Sequence, residues 1–231
     1  MKKETAQSIL KLSEDEYDAF AREFSDTRAF FWKELEFLKE HVEPNQSVLD
    51  IGCGNGRLLN LFPDMPISYT GIDSSDELVK IARKVHGDKG TFLHGNAIAL
   101  PFKGNSFDVV FSIAVIHHIP SKEFRGQFIA EANRVLKPGG KLIITTWNIR
   151  QWSFFKVHFF HTLKKIVGLS KLDFGDVVIS FGKKKNQRYV HAFTKQEFTS
   201  LVKKHSFKIL SSRNIKRKSG YSNLLVIATK K

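Results

Sequence analysis

The chain has 231 residues, 42% of them hydrophobic, and carries 37 Lys+Arg against 23 Asp+Glu for a formal net charge of +14. That length suits one domain of good core size with room for one insertion, and the apolar fraction excludes a disordered chain. No stretch of about eighteen apolar residues occurs, which excludes a spanning helix, and Met1 to Gln7 lack the apolar run of a secretory signal.

The first predicted element is helical, Ser13 to Glu40. Apolar residues from Tyr17 to Phe24 recur at helical spacing, and Trp32, Leu35, Phe37 and Leu38 extend the face. Such a segment packs on a core, or covers a pocket and offers Arg28 to an anionic group. Next, Val48-Leu49-Asp50-Ile51 reads as a buried parallel strand running into Gly52-Cys53-Gly54-Asn55-Gly56, with a helix-like segment from Arg57 to Phe62. Glycines here let the backbone take positive φ and a ligand approach closely, so the turn is expected to present N–H groups to a small molecule. Cys53 is the single cysteine, so it closes no internal disulfide, and it is expected to pack as a small residue. The dinucleotide fingerprint wants its third glycine at position 57, which is Arg57.

Ser68 to Asp73 reads as a second strand ending in a carboxylate about twenty residues past the loop, where such folds hold ribose hydroxyls. Ser74-x-x-Glu77 is expected to form a capping box for a helix through about Val85. Thr91 to Ala97 reads as a third strand and loop. Phe107 to Ser112 is the fourth strand, with Ile113 to His118 at its exit. Ser121 caps a helix through Leu136, Lys137-Pro138-Gly139-Gly140 turns the chain, and Lys141 to Trp147 is the fifth strand. Strands alternating with helices predict an α/β, Rossmann-like sheet of seven mostly parallel strands with an antiparallel last strand and helices on both faces.

The glycine positions 52, 54 and 56, the acids Asp50 and Asp73, and Asn96 together resemble the class I S-adenosylmethionine-dependent methyltransferases. Asn96 stands where relatives commonly carry Asp, and its carbonyl can accept the adenine amino hydrogen without the charge. The resemblance implies S-adenosyl-L-methionine as cofactor. It also implies a contact set of Tyr17, Asp50, Gly52, Gly54, Asn55, Gly56, Asp73, Ser74, Asn96, Ala97, Ser112 and Ala114.

Residues 148–187 form a basic aromatic insertion, in which Trp152, Phe154, Phe155, Phe159 and Phe160 alternate with Lys156, His158 and His161. It reads as a lid, a membrane-surface helix or a sheet-edge packing segment. Residues 188–231 follow as a closing helix and hairpin: Thr194-x-x-Glu197 is a capping box for a helix to about Lys204, and Phe207 to Asn214 and Tyr221 to Thr229 alternate as the last strands. Lys183-Lys184-Lys185 is a solvent-facing or phosphate-contacting run, and Lys216-Arg217-Lys218 an exposed basic turn. The charge is unevenly divided. Residues 1–147 hold 18 Lys+Arg and 20 Asp+Glu, whereas residues 148–231 hold 19 Lys+Arg and 3 acids. A net of −2 beside +16 points to a polyanion or an anionic surface.

Within the methyltransferases the chain is similar to the tRNA wobble-uridine carboxymethyl methyltransferases. Tyr17 with Phe24-Ser25-x-Thr27-Arg28, then Ser112 to His118, then Arg188-Tyr189-x-His191-x-Phe193 carry that likeness. The family's Asp-Val-x-Val-Pro-Trp is here Asp176-Val177-Val178-Ile179-Ser180-Phe181, so the proline turn is missing. The resemblance implies tRNA as substrate, a small zinc-containing activator as partner, a cytoplasmic setting and no integral membrane association. Zinc would belong to the partner, since this sequence shows no metal-ligand cluster. His117, His118, Arg28, Arg188 and Tyr189 are then the residues expected to position a carboxylate acceptor, with Tyr189 stacking on a base and no general base required. The alternatives are a small or lipidic acceptor at a membrane surface, and a non-catalytic RNA-binding scaffold.

Overall fold

A computed structural model describes residues 1–28, 31–150, 155–181, 186–217 and 220–231. The elements in chain order are α1 (Lys3–Ala19), α2 (Ala21–Asp26), β1 (Ser47–Ile51), β2 (Ser68–Asp73), α3 (Asp76–His86), β3 (Thr91–His94), β4 (Phe107–Ile113), α4 (Lys122–Val135), β5 (Leu136–Trp147), α5 (Phe155–Ile166), β6 (Asp176–Phe181), β7 (Asn186–His191), α6 (Lys195–Lys204), β8 (Phe207–Lys216) and β9 (Ser222–Lys230). Short 3₁₀ turns cover Lys33–His41, Arg57–Leu61 and Ile116–His118.

Seven strands form one sheet in the order β3-β2-β1-β4-β5-β9-β8. β1 to β5 run parallel, and β9 lies antiparallel between β5 and β8. Each central strand is apolar on both faces because each face is covered. In β9, Leu224, Val226 and Ala228 enter one core with Phe128, Phe193 and Phe198. Leu225 and Ile227 enter the other with Phe111, Val48 and Leu58. The order reverses beside β1, so the carboxyl ends of β1 and β4 open onto a crevice, where α/β sheets bind ligands.

Several local expectations change. The box at Ser74 and Glu77 does not form. Ser75 is the N-cap of α3, accepting from the Leu78 amide, while Glu77 pairs with Lys80. The helix starts one residue later because the Ser75 amide is drawn back to the Asp73 carboxylate. β5 begins at Leu136 and not at Lys141, its register with β4 broken between Phe107 and Val109. Thr194 and Glu197 form a reciprocal capping box on α6, and Ser121 caps α4. β7 crosses the boundary expected at 187/188 and pairs with β6 as a separate two-stranded ribbon. The helical N-terminal segment begins ten residues before Ser13, at Lys3. Trp152, Phe154, Lys183, Lys184, Lys185 and Lys218 lie outside the described residues.

Candidate cofactor and substrate cleft

Between the carboxyl ends of β1, β2 and β4 and the N-terminal helices lies a cleft of about 950 Å³. Its floor is the glycine turn. Gly52, Gly54 and Gly56 all have positive φ, +75°, +56° and +77°. A Cβ on Gly52 would stand 2.4 Å from Val115 Cγ2, and one on Gly56 would stand 2.8 Å from both His86 and Phe92. The close packing of the β4 exit, α3 and β3 against this turn therefore excludes side chains at Gly52 and Gly56.

Four N–H groups of the turn are engaged within the protein. Gly52 and Cys53 donate to the Ile72 carbonyl at 2.7 and 3.1 Å, Gly54 donates to Asp73 Oδ2 at 2.7 Å, and Gly56 donates to the Cys53 carbonyl. These four amides are therefore not presented to a small molecule, contrary to what was expected of the turn. The turn offers a smooth surface without Cβ atoms, and the polar groups facing the cleft come from strand ends. Asp73 accepts from the Gly54 and Ser75 amides, which offset part of the rise that burial imposes on its carboxyl. Asp50 lies beneath the turn, 3% exposed, and accepts from the Tyr69 hydroxyl at 2.7 Å. Burial raises its pKa to about 7 against that hydrogen bond. The Asn96 carbonyl accepts from the Ile98 amide at 3.0 Å, closing an Asx turn at the far rim, with its second lone pair still available.

Of the expected cofactor residues, Tyr17, Asp50, Gly52, Gly54, Asp73, Ser74, Asn96, Ala97 and Ala114 line the cleft. Ala114 has φ +61°, held by its amide donating to Thr145, so the chain turns sharply as it leaves β4. Asn55, Gly56 and Ser112 do not line it and are corrected. Asn55 is 6% exposed and its amide donates to Ser25 Oγ at 3.1 Å and to the Arg28 carbonyl at 3.2 Å, so it fastens the N-terminal segment to the turn. Gly56 faces His86 and Phe92, and Ser112 is buried inside β4.

The substrate side is built by three distant segments. Tyr17 of α1 packs with Phe20 and Phe24, ring centroids 5.1 and 5.7 Å away, and its hydroxyl meets His118 Nε2 at 3.2 Å. His118 Nδ1 faces the Tyr189 carbonyl at 3.2 Å. A carbonyl can only accept, so Nδ1 carries the proton, and Nε2 accepts from Tyr17. Burial and the nearby Arg188 charge lower His118 to a pKa of about 3, which keeps it neutral. The Arg188 guanidinium lies over the Tyr17 and Phe20 rings at 4.6 and 5.0 Å. Arg28 lies over Phe24 at 4.4 Å, its pKa lowered chiefly by burial and then by Arg188, while Tyr17 opposes.

Two substrate-side expectations change. His117 does not line the cleft. It is fully buried against Trp147 and His118, ring centroids 4.5 and 4.2 Å apart, and neither ring nitrogen has a hydrogen-bond partner among the described residues. Tyr189 is turned away from the cleft. Its hydroxyl donates to Asp176 Oδ1 at 2.7 Å and accepts from Arg125 at 3.2 Å, so its ring is not available to stack on a base. His191 extends the same buried cluster, bridging Asp176 at 2.6 Å and Glu197 at 2.8 Å. The late motif is thus mostly a polar joint between the β6–β7 ribbon, α4 and α6, and it holds Arg188 in the cleft.

The geometry adds residues that sequence reasoning passed over. Arg57 and Arg217 both pack over the Trp32 ring, at 4.5 and 4.2 Å, and line the cleft with Phe20 and Trp147. Arg217 is half-buried in a turn expected to be exposed. A lone arginine opening the apolar run Arg57-Leu58-Leu59 was the available signal.

The methyltransferase domain family matches residues 49–144, from within β1 to within β5. The matched span holds the strands that build the cleft, and over it the chain resembles the S-adenosylmethionine-dependent methyltransferases. The tRNA (carboxymethyluridine(34)-5-O)-methyltransferase of Arabidopsis thaliana is 39% identical to it over 136 residues, 58% of this chain and 32% of that protein. The chain thus spans about a third of the length of that relative. Among solved structures, an S-adenosylmethionine-dependent methyltransferase of Methanosarcina mazei superposes with a TM-score of 0.71 at 24% identity, over 87% of this chain and 98% of that one. A chain from a complex with the Haloferax volcanii Trm112 methyltransferase activator superposes with a TM-score of 0.65 at 19% identity, over 94% of this chain and 96% of that one. The methyltransferase cofactor is S-adenosylmethionine, and the donor set fits it: a carboxylate at the end of β2, a carbonyl acceptor at Asn96, and a floor where a Cβ on Gly54 would meet Phe24 at 3.4 Å.

Proposed function

We propose that the chain methylates the carboxylate of a carboxymethyl-modified wobble uridine in tRNA. The observation that carries this reading is the convergence of Arg28, Arg188 and the Tyr17–His118 pair on one cleft from three distant segments. Cofactor binding alone gives no reason for Arg28 and Arg188 to meet beside that pair. Similarity to proteins named for that reaction supports the acceptor. Asp73 would hold the ribose hydroxyls and Asn96 the adenine, with Asp50, Gly52, Gly54, Ser74, Ala97 and Ala114 completing the cofactor surface.

S-adenosylmethionine supplies a methyl group already activated by a positive sulfur. The chain's own task is then orientation and exclusion of water. Arg28 and Arg188 hold the acceptor carboxylate, which attacks as the anion and has no proton to lose. The Tyr17–His118 hydrogen bond fixes the wall behind it. His118, neutral through the physiological range, adds no charge that would compete for the carboxylate. A small zinc-containing activator of the kind implied by the resemblance is part of this proposal, supported by the neighbour solved with the Trm112 activator. The cytoplasm is the proposed setting.

The test is methyl transfer from labelled cofactor to tRNA bearing the carboxymethyl group, against tRNA lacking it, with and without a co-expressed activator. Transfer only to the carboxymethylated tRNA supports the reading. Equal transfer to both, or transfer to a small apolar acceptor and to neither tRNA, overturns it. Arg28→Lys and Arg188→Lys should each lower turnover at least tenfold with little change in cofactor affinity, because the planar fork is lost while the charge remains.

A further inference from the structure

Seven of the eleven strongly exposed large apolar side chains among the described residues lie between Phe159 and Phe174, on α5 and the turn after it. Phe159, Phe160, Leu163, Ile166 and Val167 are 47–68% exposed and follow the i, i+3, i+4, i+7 spacing of one helix face. The opposite face is the one that packs: Val157 joins the small core under β6 and β7, the Val178 amide donates to His161 Nε2, and His158 meets the Ile149 carbonyl at 2.8 Å. α5 is therefore seated on the protein with its more apolar side turned to solvent. Gly168, at φ +75°, ends the helix: its amide donates to the Lys165 carbonyl, and the Leu169 amide donates to Lys164. In such an ending the residue after glycine ordinarily packs back on the helix. Leu169 is instead 78% exposed and continues the apolar face.

A contiguous apolar face of this size on a monomer marks an interaction surface, and its charge selects the occupant. No acidic residue occurs between Asn148 and Leu172, while Lys156, Lys164 and Lys171 border the apolar stripe. The Lys164 ammonium lies over the exposed Phe160 ring at 4.4 Å, which places a cation directly against the apolar stripe. We propose that α5 and the 167–174 turn dock this protein onto an anionic lipid surface, with the apolar stripe in the interface and the lysines at the headgroups. RNA is the poorer occupant, because Leu163, Ile166, Val167 and Leu169 offer neither stacking planes nor hydrogen bonds to bases. A second copy is poorer still, because it would bring together two lysine-bordered faces of chains carrying +14 each. No helix among the described residues is long and apolar enough to cross a membrane, so the contact is peripheral. The proposal does not depend on the acceptor being tRNA.

The experiment is flotation of the full chain with vesicles of phosphatidylcholine plus phosphatidylserine, and with phosphatidylcholine alone, at low and high salt. The wild type should float with the anionic vesicles, weakly with the neutral ones, and less at high salt. Leu163→Ser with Ile166→Ser should lower the bound fraction at least tenfold, while cofactor affinity and melting temperature stay unchanged. Leu12→Ser, at an exposed apolar residue of α1, should leave flotation unaltered. Absence of wild-type flotation, or flotation unaffected by the double variant, overturns the proposal. Loss of tRNA binding in the double variant without vesicle binding by the wild type would assign the face to RNA. Conversion of a wild-type dimer to a monomer would assign it to a second copy.

Discussion

At the scale of single residues, chemistry in the cleft follows from burial. Asp73 sits at the end of β2 where its carboxylate closes the glycine turn and faces the cofactor space. Asp73→Ala removes charge-assisted bonds worth about 1.5–3 kcal/mol each and frees the Gly54 amide. Cofactor affinity measured by calorimetry should fall at least tenfold, and unchanged affinity would argue against the assignment. The two histidines after β4 give a pH signature. Burial lowers His117 well below its usual range and, with the nearby Arg188 charge, takes His118 to about 3. The unfolded chain takes up protons at these sites below about pH 6.5 while the folded chain does not, so the stability they contribute is present above that pH and is lost as pH falls toward 3. Asp50 acts oppositely, since its raised pKa makes stability fall as pH climbs from about 4 to 7. The two effects separate in a difference measurement. Urea unfolding of His118→Gln should show a smaller loss between pH 6.5 and 4 than wild type, by up to several kcal/mol, with the Asp50 contribution common to both.

At the scale of elements, polar joints keep the catalytic pieces in register. α2 and the segment carrying Arg28 are tied to the glycine turn by Asn55 through Ser25 and the Arg28 carbonyl. Asn55→Ala should cost about 1–3 kcal/mol by urea denaturation, because two hydrogen bonds go. Turnover should fall more than cofactor affinity, because Arg28 loses its anchor. The ribbon is held by a buried carboxylate. Asp176, its side chain without exposed surface, accepts from Tyr189 and His191 and stands 3.8 Å from the Arg125 guanidinium. Asp176→Ala leaves a buried cation unpaired, a change of about 3–5 kcal/mol. The midpoint of urea unfolding should drop accordingly, and loss of under about 1 kcal/mol would show that the joint is not structural.

At the scale of the whole molecule, charge is segregated: a nearly neutral half carries the cofactor, and residues 148–231 carry +16. A tRNA held by that half should dissociate steeply with salt, because each phosphate contact releases counterions. Filter binding between low and physiological salt should show a strong negative slope, flattened when Lys183, Lys184 and Lys185 are changed to Gln. A salt-insensitive affinity would remove the phosphate contribution from the reading.

The sheet and its loop were legible from sequence because their causes are local. Buried parallel strands demand continuous apolar runs, the tight turn at 52–56 demands glycine, and Asp73 closes the apolar run of β2 at the crevice. Thr194 and Glu197 show the same locality, since a capping box closes within one helical turn. Contacts between distant segments were not legible. Asn55 reads as a ligand residue until Ser25 and Arg28 are placed against it, and Tyr189 reads as a stacking ring until Asp176 and Arg125 claim its hydroxyl. Arg57 and Arg217 are 160 positions apart, and only closure of the β8–β9 hairpin over Trp32 brings them to one rim. By itself the sequence determined the alternation of strands with helices, the glycine turn and the acids at strand ends, because backbone sterics and the burial pattern of a strand show within a few residues. Only the tertiary structure decided which polar side chains face the cleft and which are spent holding it together, because a hydrogen-bonding group takes its role from whatever partner the fold delivers to it.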